Sequence, residues 1–261
     1  MDIKEKEQFI KEQEESLAKI HYLYDRIKIL DNSLQKLYPV TVVEEDTFYV
    51  FDLNSKNKYK FVMEHPTPMP IPEGVMAAFP LEFYSMKPSA IVSKEIFNSL
   101  EGYVFIFHEF VHCHQWENGE NELKESLEIA KKANKGSDYM WEINHPFPYN
   151  DKDFVSETIQ LNNHFENRDY DKVLKYHRKL AKELSTIDYE YMIWQQWKEG
   201  FARYIENLIR AELSLKLNTA ELRKPFNRVS FYDLGSKHIE LLVDRESELK
   251  GNIKELFLKM Y

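Results

Sequence analysis

Residues 103–112 read Tyr103-Val104-Phe105-Ile106-Phe107-His108-Glu109-Phe110-Val111-His112, and this stretch governs the reading of everything around it. The run Tyr103 to Phe107 is apolar on every side, which predicts a buried helix. Residues four apart on a helix stand one above the other. The imidazoles of His108 and His112 therefore project from one face and can share a metal ion. Glu109 sits beside the first histidine, where its carboxylate can reach a water in the ion's open coordination place without binding the ion itself. Two histidines and a glutamate in so apolar a helix are costly to bury unless partnered, and a metal is a partner that uses all three. Asn98, with Glu101 three residues on, is expected to start this helix in capping-box fashion.

A zinc ion that does chemistry takes three protein ligands and keeps a fourth place open. The chain offers Glu199 as the third, in Trp197-Lys198-Glu199-Gly200-Phe201-Ala202-Arg203-Tyr204-Ile205-Glu206. Trp194, Trp197, Phe201, Tyr204, Ile205 and Leu208 form an apolar stripe at helical spacing, which puts Glu199 and Gly200 inside a helix. A glycine there costs about 1 kcal/mol relative to alanine, and the chain has only 7 glycines in 261 residues. Close backbone approach is the physical reason to accept that cost, as where two helices meet tightly around one ion. The expectation is one zinc ion (Zn2+) per chain, held by His108, His112 and Glu199. His114, at i+2 from His112, and Cys113, about 100° further round the helix, face away from it.

The pairing of HEFVH with a downstream E-G-x-A-x-Y-x-E segment resembles the gluzincin branch of the zinc metallopeptidases. The stretch WKEGFARYIEN is most similar to the membrane-alanyl-type aminopeptidases and the peptidase-MA-like proteins. The resemblance covers about 30 residues in two blocks. It implies a zincin-like fold, with His108 and His112 as zinc ligands, Glu109 as general base and Glu199 as third ligand. It also implies a Tyr or His well after the third ligand that faces the carbonyl oxygen. Ser230-Phe231-Tyr232-Asp233-Leu234-Gly235-Ser236-Lys237-His238 looks like the Tyr-x-x-Gly helix start of peptidase-MA-like relatives. It offers Tyr232, just ahead of a helix, with His238 as rival and Tyr204 as a third possibility.

The chain also departs from that pattern. From His112 to Glu199 is 199 − 112 = 87 positions, so an inserted helical segment at about 115–190 is expected before the chain returns to the metal. The aminopeptidases carry a Gly-x-Met-Glu-Asn segment whose Glu holds the substrate's free amine; this chain has Ala77 there. That counts against aminopeptidase activity and leaves endopeptidase or another exopeptidase open. Thermolysin-like relatives place an Asp four residues after the third ligand, where this chain has Arg203. Glu206, seven positions after Glu199 and on the same face, is the better candidate to hold a ligand histidine's second N–H.

Outside these blocks, Phe9, Leu17, Ile20, Leu23, Tyr24, Ile27, Leu30, Leu34 and Leu37 recur at spacings of three and four and predict a helix over 3–37, ended by Pro39. Thr41–Val43, Phe48–Phe51 and Tyr59–Val62 predict three short strands. The proline-rich 65–72 is an expected loop, and Val75–Phe79 and Ala90–Ser93 complete a small sheet over 40–95. From Asn98 on the pattern is helical, with breaks near Gly136, at 145–148 and at Pro225. The expected fold class is α+β, predominantly α, as one catalytic domain over 1–261 with the small sheet packed against the His108 helix and Val75–Phe79 available to pair with substrate. His145, His164 and His177 read as surface or capping residues.

Composition closes off other classes. A net charge of −9 excludes nucleic acid as the main partner. One cysteine excludes a disulfide framework and Cys-rich zinc modules. No apolar run approaches the roughly 20 residues a membrane span requires, and the chain opens without a signal-like stretch, so a cytoplasmic location is expected. The expected activity is zinc-dependent hydrolysis of a peptide or protein substrate. The alternative is an inactive, zinc-stabilised binding protein, for which the Glu109 carboxylate has no use.

Overall fold

Asp2 opens the first helix with a full capping box: its side chain accepts from the Glu5 amide, and the Glu5 side chain accepts from the Asp2 amide. In place of one helix over 3–37, the computed structural model, which describes residues 1–219 and 224–261, has α1 (Ile3–Leu17) and α2 (Lys19–Ile27). A 3-10 turn capped by Asp31 follows at Asn32–Leu34. At the break the Ala18 amide is shared between the Glu14 and Ser16 carbonyls. The apolar stripe survives it, since Phe9, Leu17, Ile20, Ile27 and Leu34 are all buried.

The β-branched and aromatic stretch forms β1 (Val40–Glu44), β2 (Thr47–Leu53), β3 (Tyr59–Pro66), β4 (Met76–Leu81) and β5 (Lys87–Ser93). They make one mixed sheet in the order β3-β2-β1-β5-β4, with β1 and β5 parallel and the other pairs antiparallel. Strand alternation sends Phe48, Val50 and Ile91 to one side, where with Leu81 they form a small core covered by Ile71, Phe83 and Tyr84. The two edges differ. Beside β3 lies α1, whose Glu14 accepts from the Phe61 amide at 3.0 Å and pairs with Lys60. β4 has no further strand beside it among the described residues.

The register of β4 fixes what that edge offers. Ser93 donates to the Val75 carbonyl, so residues 75, 77 and 79 turn their main-chain groups toward β5. Met76, Ala78 and Pro80 turn theirs outward, and Pro80 has no N–H to give.

The helix α3 (Leu100–Glu117) packs against β4 and β5. Next come α4 (Glu120–Ser126), α5 (Glu128–Lys135), α6 (Trp141–Asn144), α7 (Lys152–Glu166) and α8 (Tyr170–Glu183). The long α9 (Thr186–Glu212), α10 (Arg228–Arg245) and α11 (Ile253–Met260) complete an α+β chain that is predominantly helical. The chain gathers into two compact units, one of residues 1–117 and 208–215, the other of 118–207 and 216–261. Among the described residues, no helix is long and apolar enough to cross a membrane.

Candidate metal centre

Ser99, not Asn98, starts α3. The Gly102 amide donates to the Ser99 hydroxyl at 3.0 Å, while Asn98 ends the preceding 3-10 turn. One residue's shift leaves the helical phase of the motif unchanged. His108, Glu109 and His112 are all buried, among Val104, Phe107, Phe110 and Val111. The two imidazole rings stand 5.0 Å apart at 73°. The Nδ1 of His112 lies 2.8 Å from Oε1 of Gln115, which is fully buried. An amide oxygen only accepts, so Nδ1 carries the proton and Nε2 keeps its lone pair for an ion. Gln115 escaped the sequence reading, although its i+3 spacing from His112 was a usable signal. Cys113 is buried and unbridged, and burial, with the Glu109 charge adding, pushes its thiol pKa up.

Glu199 is half-buried on α9. One ligand atom from each of His108, His112 and Glu199 lies within 4.8 Å of the others. Among the described residues, no other group of three His, Cys, Asp or Glu side chains gathers so closely. Two imidazoles and a carboxylate are a donor set that suits zinc with one place left open.

Gly200, the next residue, explains its own position. A β-carbon there would stand 2.7 Å from the Gly235 main chain, and one on Gly235 would stand 2.0 Å from the Gln196 carbonyl oxygen. The backbones of α9 and α10 therefore cross in direct contact, which only glycine permits.

Tyr232 does not precede a helix. It lies in the second turn of α10, which Asn227 starts with a capping box to Ser230. Asn227 satisfies the first amides five residues before Tyr232, so the Tyr-x-x-Gly resemblance misjudged the boundary. Tyr232 is buried, and burial pushes its hydroxyl pKa up, with the Glu199 charge acting in the same direction and Arg228 and Arg203 against it. His238 packs elsewhere: its ring stacks on His177 at 4.5 Å and lies 5.5 Å from Phe165. His177 is thus a core residue and not a surface one. Val173, His177 and Leu180 share the buried stripe of α8 at helical spacing. Among the described residues neither ring has a hydrogen-bond partner, and burial holds the His177 pKa down to about 4. Tyr204 is buried on α9.

Glu206 has no exposed surface; it accepts from the Asn218 side chain at 2.8 Å and lies 3.3 Å from the Arg203 guanidinium. Arg203, four residues after Glu199, thus faces a carboxylate of its own helix. Before Glu199 comes Lys198, whose ammonium bonds Glu120 at 2.6 Å and Glu142 at 3.0 Å. Glu142 also accepts from the Trp194 indole at 3.1 Å and pairs with Lys124. Burial pushes the Glu142 carboxyl up, but Lys198 and Lys124 outweigh it and hold the pKa down at about 2. This network was not legible in the sequence, because its members come from α4, α6 and α9.

No family model, curated protein or solved structure matches this chain.

Proposed function

We propose that this chain is a zinc-dependent hydrolase that cleaves peptide bonds. The observation that carries the reading is the convergence of His108, His112 and Glu199, with Glu109 beside the first ligand on a buried helix. His108 and His112 would hold the ion through ring nitrogens, with the His112 tautomer fixed by Gln115, and Glu199 would hold it through a carboxylate oxygen. When bound, zinc lowers the pKa of a water toward 7 and polarises a carbonyl. Glu109 accepts the proton of the attacking water and delivers it to the leaving amine. Tyr232, whose raised pKa keeps its hydroxyl protonated at neutral pH, donates a hydrogen bond to the carbonyl oxygen as charge develops there. The outward main-chain groups of Met76 and Ala78 suit an extended peptide, which β4 would take as an added strand.

The deciding experiment is metal analysis of protein purified without added zinc, followed by digestion of a broad peptide library. One zinc per chain is expected, with cleavage by wild type and none by a Glu109→Gln variant that keeps its metal. Equal behaviour of the two proteins in the digest would remove the hydrolase reading and favour a zinc-stabilised binding protein.

A further inference from the structure

Arg228 is the first residue of α10, directly after the capping Asn227. Positions 228, 232 and 235 are spaced by four and three, so they share one face of the helix. That face is anchored at Gly235, which meets the main chain of Gln196 on α9 and is met in turn by Gly200, the neighbour of Glu199. Toward the start of α10 the same face presents Tyr232 after about 4.5 Å of rise and Arg228 after about 10.5 Å. The Arg228 guanidinium stands 5.6 Å over the Tyr232 ring. The hydroxyls of Tyr149 and Tyr191, 3.4 Å apart, lie in its field; burial pushes both pKa values up and the Arg228 charge opposes that.

Arg228 is half-buried, and among the described residues no carboxylate pairs with it. Arg26, Arg168 and Arg203 all face acids. Acids outnumber bases in this chain, 44 to 35. A half-buried guanidinium that stands over a phenol ring and pairs with no acid can take a planar oxyanion, which it binds through two parallel hydrogen bonds.

We propose that Arg228 binds a carboxylate of the substrate within about two residues of the cleaved bond, an inference that rests on the hydrolase reading above. The roughly 6 Å of helix rise between Tyr232 and Arg228 matches about two residues of extended peptide. The carboxylate comes either from the chain terminus or from an Asp or Glu side chain.

Binding to the Glu109→Gln protein tests this without turnover. Three labelled hexapeptide pools are compared by fluorescence anisotropy: free C-terminal acids lacking Asp and Glu, their C-terminal amides, and amides carrying one Glu near the end. The acids should bind about 10- to 100-fold more tightly than the plain amides. Arg228→Gln should erase that preference while leaving amide affinity in place, and Arg228→Lys should restore part of it. If only the Glu-bearing amides gain affinity, the role stands and the carboxylate is a side chain's. Equal binding of all three pools, no binding of any, or a preference that survives Arg228→Gln overturns the inference. The hydrolase reading fails separately, through a library digest that shows no Glu109-dependent cleavage.

Discussion

Gly200 and Gly235 touch backbone to backbone where α9 crosses α10, and no side chain fits at either position. The crossing sets the height of Tyr232 relative to Glu199, because each residue lies within one turn of its glycine. Gly200→Ala is expected to lower stability by about 1–3 kcal/mol despite the better helix propensity of alanine. Gly235→Ala should cost more, since its new methyl meets a carbonyl oxygen. Urea unfolding of the two variants checks both the sign and the order; an unchanged midpoint for Gly235→Ala would contradict the contact.

Gln115 fixes the ring of His112 through the hydrogen bond to its Nδ1. Gln115→Leu should weaken zinc binding about 10- to 100-fold, read by competition with a chromophoric chelator. Glu109→Gln should leave that affinity close to wild type. If both variants bind alike, Gln115 does not set the tautomer.

Tyr232→Phe should keep its zinc and its substrate affinity and turn over about 10²- to 10³-fold more slowly. Unchanged turnover would remove Tyr232 from the reaction. The stacking of His238 on His177 makes His238 an unsuitable replacement without repacking.

Acid should destabilise the contact of α8 with α10. His177 is neutral in the fold, with a pKa of about 4, and no charged group among the described residues acts on it. The unfolded chain takes up this proton near 6.5, before the folded one does, so stability is intact above about 6.5 and falls as pH drops toward 4. A gap of that size is worth on the order of 3 kcal/mol. His238 is pushed down as well, by burial and then by His177. His177→Phe should flatten the profile between pH 6.5 and 4 in urea titrations; an unaltered slope would show that the pair is hydrated and charged.

Lys198→Met would leave the buried Glu120 beside a neutral side chain and Glu142 with Lys124 as its cation. The expected loss is about 3–5 kcal/mol, measured by thermal or urea unfolding. A loss below about 1 kcal/mol would mean that water reaches the two carboxylates.

The strands, α3 and the interior of α9 were legible because their signals are local: alternation in β1 and β2, and an apolar stripe around Gly200. The gathering of His108, His112 and Glu199 follows from two short motifs, each readable within one helix. What was not legible depends on neighbours distant in sequence. The Ala18 break has no Pro or Gly to mark it, and Asn98 and Ser99 are equally good caps by residue type. The polar letter of His177 hid its place on a buried stripe. Glu120, Glu142 and Lys198 read as solvated charges until α4, α6 and α9 are brought together, and Arg228 reads as an ordinary helix-start residue until its guanidinium is seen over the Tyr232 ring.

Pro80 gives the open side of the sheet a stop. Beyond the two outward amides of Met76 and Ala78, the next donor in line is missing. Sheets grow into fibrils when one copy's free edge templates the next over many consecutive pairs. Here the template runs out after two, and the opposite edge is already occupied by Glu14 at Phe61. The free edge is therefore a hydrogen-bonding ledge too short to template another copy over many consecutive pairs.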